Sequence, residues 1–209
     1  MKKIFIILIS ISSVLYTHAQ IEKLAGPRLG AVLITPGISS HFLNKERRLW
    51  DDVSPTINDD AKSALISLYG WQWESRFADG GDITGIVEWI ALVGGTEKGK
   101  FIPSISSMVG IRTSKGIEFA VGPNLSLSGV AIVLGAGYNI KSGKLNIPVN
   151  IAFVPGSTRK IREKWDTGED GVLDTPDDIL IHEEFLANIG SRISITFGFN
   201  LNREAKDKK

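Results

Sequence analysis

Four carboxylates late in the chain have the spacing of ligands for a hard cation. Residues 166–177 read DTGEDGVLDTPD, with aspartates at positions 1, 5, 9 and 12 of the segment and glycine at position 6. The four are Asp166, Asp170, Asp174 and Asp177. Alternating oxygen ligands around a sharp glycine bend suit calcium. The segment therefore predicts a calcium site. The alternative is a solvated acidic loop, because residues 166–184 hold eight acids and no Lys or Arg.

The same segment is similar to the calcium loops of EF-hand and thrombospondin-type proteins. It departs from them at two positions. Gly168 stands at position 3, where Asp or Asn is usual, and Asp177 stands at position 12 in place of a bidentate Glu. The similarity therefore implies weak binding, in the range of about 10⁻⁴–10⁻³ M typical of extracellular modules. No other cofactor is predicted.

Nucleophilic catalysis has little support in the sequence. Beyond residue 20 the histidines are His41 and His182, and Ser39 and Ser40 precede His41. A serine nucleophile needs a base within hydrogen-bond reach and a third group that orients the base. Adjacent residues on a strand point to opposite faces, which separates Ser40 from His41, whereas Ser39 and His41 could share a face. We predict no catalytic residues and no enzyme, with a lipid-modifying enzyme as an alternative.

A further set of candidates consists of charges on an otherwise small and neutral face. That face is built from Gly, Ser, Asn and Ala, and its charges are Glu74, Arg76, Glu88, Arg112, Glu118 and Arg192. A tight turn between Thr113 and Ile117, ending at Gly116, places Arg112 opposite Glu118. Charges in a dry interior need matched, hydrogen-bonded partners. The sequence therefore predicts an internal charge network that contains an Arg112–Glu118 pair.

Eight segments with period-two alternation must position these residues. We predict strands at residues 28–36, 64–77, 83–93, 101–113, 117–124, 129–140, 145–154 and 190–201. The face opposite the charges is apolar and carries no Lys, Arg, Asp or Glu. Because a soluble sheet shows a charged face to water, this pattern predicts strands whose apolar face meets lipid. The predicted fold is all-β, an eight-stranded antiparallel up-and-down transmembrane β-barrel, with a soluble lipocalin-like barrel as an alternative.

The connections alternate in length, which supports the barrel. Short links are predicted at residues 78–82, 113–116 and 141–144, and the longest at 37–63 and 155–189. A two-residue turn at Ser142–Gly143 would pair Lys141 with Lys144. Pro148 lies in the middle of its predicted strand and has no N–H to donate to the neighbouring strand. We therefore predict a β-bulge at Pro148. Eight strands leave an interior that side chains can fill, which predicts a plug, with a narrow channel as the alternative.

Residues 1–20 have the composition of a signal peptide. Lys2 and Lys3 precede an apolar run, and Ala19 lies before the expected cleavage site. We predict a cleaved signal peptide at 1–20, a barrel at 21–201 and a polar tail at 202–209. Removing the two lysines changes the formal charge from +1 to −1, so no basic field attracts nucleic acid.

With its signal peptide, eight strands, alternating loop lengths and aromatic-rich last strand RISITFGFNL, the chain resembles the small eight-stranded outer-membrane barrels of Gram-negative bacteria, an uncharacterised family. The segment GIEFAVGPNLSLSG is similar to a hallmark of exported barrel proteins of unknown role. Likeness at this level implies an outer-membrane location and the fold, and it does not imply a function. We predict a structural or accessory-subunit role in an envelope assembly, with membrane lipids and other envelope proteins as partners and the outer loops 37–63 and 155–189 as contact elements.

Overall fold

The computed structural model describes residues 23–44, 61–143, 145–166 and 179–202. Its strands are β1 (Lys23–Ile34), β2 (Ala64–Asp79), β3 (Ile83–Gly94), β4 (Ile102–Thr113), β5 (Ile117–Ser126), β6 (Gly129–Ser142), β7 (Leu145–Val154), β8 (Thr158–Ile161), β9 (Lys164–Asp166), β10 (Ile179–His182), β11 (Phe185–Asn188), β12 (Arg192–Gly198) and β13 (Asn200–Asn202). A short helix, α1 (Ile38–Asn44), follows β1, and a 3-10 turn covers Thr96–Lys98. No helix in these ranges has the length and apolar character needed to cross a membrane. The predicted signal peptide and all but the first residue of the predicted tail lie outside the described residues.

The strands close into an antiparallel barrel. Each strand from β1 to β7 pairs with the next along the chain. An eighth strand, made of β12 and β13 with a break at Phe199, pairs with both β7 and β1. The predicted eight-stranded antiparallel barrel is therefore confirmed. Closure pairs the backbone donors and acceptors all around the sheet and leaves it without an open edge.

The two ends of the barrel carry different connections. At one end, which we call the turn end, lie the links 80–82 and 114–116, Gly143 and the chain positions 23 and 202. At the other, the loop end, lie α1, the 3-10 turn, the link 127–128 and residues 155–166 and 179–191. Two short ladders, β8 with β11 and β9 with β10, extend from β7 and β12 at the loop end. We call these four strands the arm.

The registers confirm one predicted turn and correct another. Arg112 pairs with Glu118, as predicted, and Gly116 has a φ of 92° in that turn. The predicted pairing of Lys141 with Lys144 is wrong, because Ser142 pairs with Leu145 instead. This difference shifts the register by two residues, so every side chain keeps its predicted face.

The bulge predicted at Pro148 is also absent. The β6–β7 register passes Pro148 without a shift, and it pairs with Asn139. On the other side of β7, the ladder to the eighth strand has the same register before and after the break between Gly198 and Asn200. Since proline offers no N–H, a local break in the partner strand accommodates it without an extra residue.

Helix α1 covers part of the loop end. Its Leu43 packs in a buried cluster with five side chains of β1 and β2, namely Val32, Ile34, Ala64, Ile66 and Leu68. Asn44 Nδ2 donates to the carbonyls of Lys62 and Ser63, at 3.2 and 3.1 Å. The ammonium of Lys100 lies 4.1 Å from the centre of the Phe42 ring, which is cation–π distance. The helix is thus fixed by apolar packing beneath it and by polar contacts at its C-terminal end.

Candidate functional site

The outside of the barrel is an exposed apolar wall. Away from the strand ends, outward positions of the eight barrel strands carry no Lys, Arg, Asp or Glu. Many large side chains on it are exposed, for example Trp73 at 49%, Ile132 at 60% and Val130 at 76%. The face that the sequence predicts to be apolar therefore points away from the barrel interior. An apolar surface this continuous is unusual on a soluble monomer.

The turn-end half of the interior holds a cluster of buried ions. Arg112 Nη1 and Nη2 donate to the two carboxylate oxygens of Glu74, at 2.5 and 2.6 Å. Its Nε donates to Glu118 Oε1 at 2.5 Å. All three side chains are buried. A guanidinium that uses its fork on one carboxylate and its Nε on another is held in a single orientation.

A second chain of contacts runs beside this cluster from Arg28. Arg28 Nε donates to Gln72 Oε1 at 2.7 Å, and Arg28 Nη1 donates to Asn200 Oδ1 at 3.0 Å. Gln72 Nε2 in turn donates to Glu88 Oε1. A side chain at Gly198 would collide with the guanidinium of Arg28, so the glycine makes room for it. We call Arg28, Glu74, Glu88, Arg112 and Glu118 the charged cluster.

Four of the six predicted interior charges lie in this cluster, namely Glu74, Glu88, Arg112 and Glu118. Arg76 is half-buried at the next inward position of β2 toward the turn end. Arg192 lies at the opposite end, where β12 begins. Sequence reasoning missed Arg28, which is 1% exposed, because the first strand was expected to begin there. The observed start at Lys23 places Arg28 within the strand, on the same inward face as Gly30 and Val32.

The loop-end half of the interior is an apolar chamber. A cavity of about 120 Å³ lies there between two groups of side chains. One group is the cluster beneath α1, and the other contains Met108, Val133 and Val154. Glu88 and Glu118 of the charged cluster also line the cavity, on its turn-end side. The charged cluster is therefore the floor of the chamber.

The mouth of the chamber is polar on one side. Arg192 Nη2 donates to Asn124 Oδ1 at 3.0 Å, and Asn124 Nδ2 donates to Ser106 Oγ at 2.9 Å. A smaller cavity, of about 70 Å³, lies between α1 and residues 126–128. Arg192 lines both cavities. It is thus the cation at the junction between the chamber and its mouth.

The serines considered for catalysis lie on α1 and not on a strand. Ser39 Oγ lies 3.0 Å from Ser128 Oγ. Ser40 Oγ donates to the Gly37 carbonyl and accepts from its N–H, at 3.0 and 3.1 Å. Both hydroxyls therefore have structural partners. Ser39 and His41 lie on this helix, so they do not share the face of an extended strand, which is the arrangement that a catalytic pair there would have needed.

The predicted calcium ligands Asp170, Asp174 and Asp177 lie outside the described residues, and only the backbone of Asp166 is described. The calcium site therefore stays a prediction. Among the residues that the structure describes, no three His, Cys, Asp or Glu side chains cluster closely enough to hold a metal ion.

The arm carries exposed apolar side chains on a part of the molecule that projects from the barrel. Ile179, Ile181 and Leu186 are 67%, 53% and 62% exposed. The opposite face of β11 packs on α1, where Ala187 and Ile38 are buried together. β11 therefore has one face against α1 and one face exposed, whereas β10 exposes Ile179, Leu180 and Ile181.

Comparison with known proteins gives no further assignment. No protein-family model matches the chain, and a search of curated proteins finds no significant match.

Proposed function

We propose that this chain is an integral outer-membrane β-barrel with a structural or accessory role in an envelope assembly. The observation that carries the proposal is the uncharged, exposed apolar wall around the whole barrel. Moving a single Leu, Ile, Val or Phe side chain out of water is worth about 1.5–3 kcal/mol. A wall of such side chains is stable in contact with hydrocarbon and would drive association in water.

The filled half of the interior favours a structural role over conduction. The side chains of the charged cluster are each less than 5% exposed and are tied to one another or to neighbouring amides. A continuous water path would leave these ions solvated. An eight-stranded barrel has just enough interior for such a plug. We therefore infer that the protein acts through its surfaces rather than by passing solutes.

The arm and α1 are the surfaces best placed for contact with a partner. They lie at the loop end, which in this proposal faces away from the cell, as expected for the longer loops of such barrels. The arm exposes the apolar side chains of Ile179, Ile181 and Leu186. Exposed apolar side chains on a projecting segment are typical of protein interaction sites. The partner we propose is another envelope protein.

The membrane part of the proposal is tested by cell fractionation. We expect the chain in the outer-membrane fraction, solubilised by detergent and resistant to extraction with carbonate. We also expect an unboiled sample to migrate differently from a boiled one on a denaturing gel, because the closed barrel resists the detergent. Recovery in the soluble periplasmic fraction without detergent would contradict the proposal and favour a soluble lipocalin-like barrel.

The accessory role is tested by isolating complexes in mild detergent. The variant Ile181→Ser with Leu186→Ser removes exposed apolar area from the arm. Lys115→Ala is the control, because Lys115 is an exposed side chain in a turn at the opposite end of the barrel. An envelope protein recovered with the wild type and the control, and reduced with the arm variant, supports the proposal. Equal recovery with all three proteins would contradict a contact through the arm.

A further inference from the structure

The apolar chamber has the properties of a binding site, which goes beyond the proposed role. It is lined mostly by apolar side chains in the loop-end half of the barrel and reaches a mouth beside α1. Two cations line the mouth, Arg159 and Arg192, and of these Arg192 also lines the chamber. We propose that the chamber binds a single-chain alkyl carboxylate, with its tail in the chamber and its carboxylate on Arg192.

The size and lining of the chamber suit an aliphatic tail. Its volume of about 120 Å³ is close to that of a cavity of about 150 Å³, lined by Leu, Ile and Phe, that stays dry and binds benzene. Along β12 the lining extends from Arg192 to Thr196, which spans about 13 Å at 3.3 Å per residue. Met108 and Val133, each 3% exposed, belong to one wall. The chamber is therefore elongated and mostly apolar, as an alkyl chain requires.

The charges fix the orientation of the ligand. Arg192 has one described side-chain partner, the amide oxygen of Asn124, and forms no ion pair among the described residues. Its guanidinium has further N–H donors for a carboxylate. Glu88 and Glu118 lie at the floor, and they would repel a ligand that entered the chamber with its carboxylate leading. The carboxylate therefore stays at the mouth and the tail points toward the floor.

The competing occupant is the acyl chain of a membrane lipid. An ester-linked chain has no carboxylate: its carbonyl offers a guanidinium a weaker hydrogen bond, and a charged contact could come only from the phosphate of its headgroup. Arg192, at the junction of the two cavities, provides a cation directly beside the carboxylate of a free acid. The two occupants differ in whether the Met108 methyl responds to added decanoate and in whether it responds to the chain length of the membrane lipid.

Met108 provides a reporter inside the chamber. The chain contains two methionines, Met1 and Met108, and Met108 lines the cavity. The full chain, labelled with ¹³C at the methionine methyl groups and folded in lipid nanodiscs, is titrated with decanoate and, separately, with decanol. Met108→Leu assigns the resonance. We expect a saturable shift of the Met108 methyl with decanoate. We also expect Arg192→Gln to weaken decanoate at least about tenfold and to leave decanol unchanged.

Two further variants keep the test decisive. Ala152→Phe adds a large side chain to the cavity wall, and Ala120→Leu is a smaller filling variant in case the first does not fold. We expect either filling variant, once its migration on an unboiled gel shows a folded barrel, to abolish the Met108 shift. Ile195→Ala, on the outer wall, is the matched control and should bind like the wild type.

Three results would overturn the proposal. The first is no saturable Met108 shift with decanoate, and the second is equal decanoate affinity in the wild type and Arg192→Gln. The third is a Met108 resonance that follows the chain length of the nanodisc lipid and does not respond to decanoate, which would assign the chamber to a lipid acyl chain.

Discussion

The two halves of the barrel interior are built from the same eight strands and differ in what fills them. At the turn end, Arg28 and Arg112 hold three carboxylates through direct bonds or through Gln72, and each of these side chains is less than 5% exposed. At the loop end, mostly apolar side chains surround a cavity of about 120 Å³, and Arg192 lies where this cavity meets its mouth. The comparison indicates that the turn end provides rigidity and sealing, whereas the loop end retains space for a ligand.

The largest expected difference between the two halves comes from removing an arginine at each end. Arg112→Met leaves Glu74 and Glu118 buried without their cation, which typically costs about 3–5 kcal/mol of unfolding free energy. Arg192→Met removes a hydrogen bond to Asn124 from a half-buried side chain, for which we expect about 0.5–1.5 kcal/mol. Urea unfolding in lipid vesicles, followed by tryptophan fluorescence, measures both. Equal losses would mean that the charged cluster is solvated.

Adding a methyl group should also distinguish the two halves. At Gly198 a Cβ would collide with the guanidinium of Arg28 and the backbone carbonyl of Pro27. We expect Gly198→Ala to lower the unfolding free energy by about 1–3 kcal/mol. At Gly135 the nearest atom to a Cβ is Met108 Cε, at 2.9 Å, the end of a flexible side chain. Gly135→Ala should therefore stay within about 1 kcal/mol of the wild type. A larger loss of unfolding free energy for Gly135→Ala than for Gly198→Ala would show that the chamber half is the more tightly packed one.

A double-mutant cycle sharpens the picture of the charged cluster itself. Arg112 makes two bonds to Glu74 and one to Glu118. We expect both coupling energies to exceed about 0.5 kcal/mol and the coupling to Glu74 to be the larger. The cycles use Arg112→Met with Glu74→Gln and with Glu118→Gln. Strict additivity would place the three groups in water.

The smallest expected change in unfolding free energy comes from Glu97, in the 3-10 turn at the loop end. Glu97 accepts hydrogen bonds from the hydroxyl and the N–H of Ser67, and these lower the pKa of the Glu97 carboxyl. Because the folded-state pKa is lowered, the stabilisation is present above the unfolded pKa of about 4.3 and is lost as the pH falls through the folded value. The site is exposed, so we expect less than about 1 kcal/mol. Unfolding of the wild type between pH 3 and 6 should show this loss, and Glu97→Gln should not.

Much of the barrel follows from period-two alternation, because a closed wall demands one apolar face on every strand. Trp73, Ile132 and Ile195 lie on the outside as that pattern predicts, and Arg112 meets Glu118 because the turn at Gly116 fixes their register. Alternation also predicts the inward positions of Glu74 and Glu88. It does not predict that Arg112 bonds Glu74, since β2 and β4 are not adjacent strands.

Other features depended on information that a periodic pattern does not contain. Alternation does not predict the buried Arg28, because Gly26 and Pro27 just before it give no apolar–polar signal and a period-two pattern starts β1 only at residue 28. Helix α1 is short, and its packing of Leu43 on β1 and β2 is a long-range contact. The chamber itself is set by the volumes of side chains from several strands. The packing of α1 and the volume of the chamber depend on residues far apart in the sequence, whereas alternation and turn types are set by neighbouring residues.

The central claim of this account is that the apolar wall faces lipid. The chain contains no cysteine, so single cysteines at Ile105, Val109 and Ile195 on the wall, and at Lys115 in a turn, can each carry a nitroxide. In vesicles we predict that labels at the three wall sites collide more with oxygen than with a water-soluble nickel chelate. The label at Lys115 should show the opposite preference. Wall sites as accessible to the chelate as Lys115 would contradict the claim.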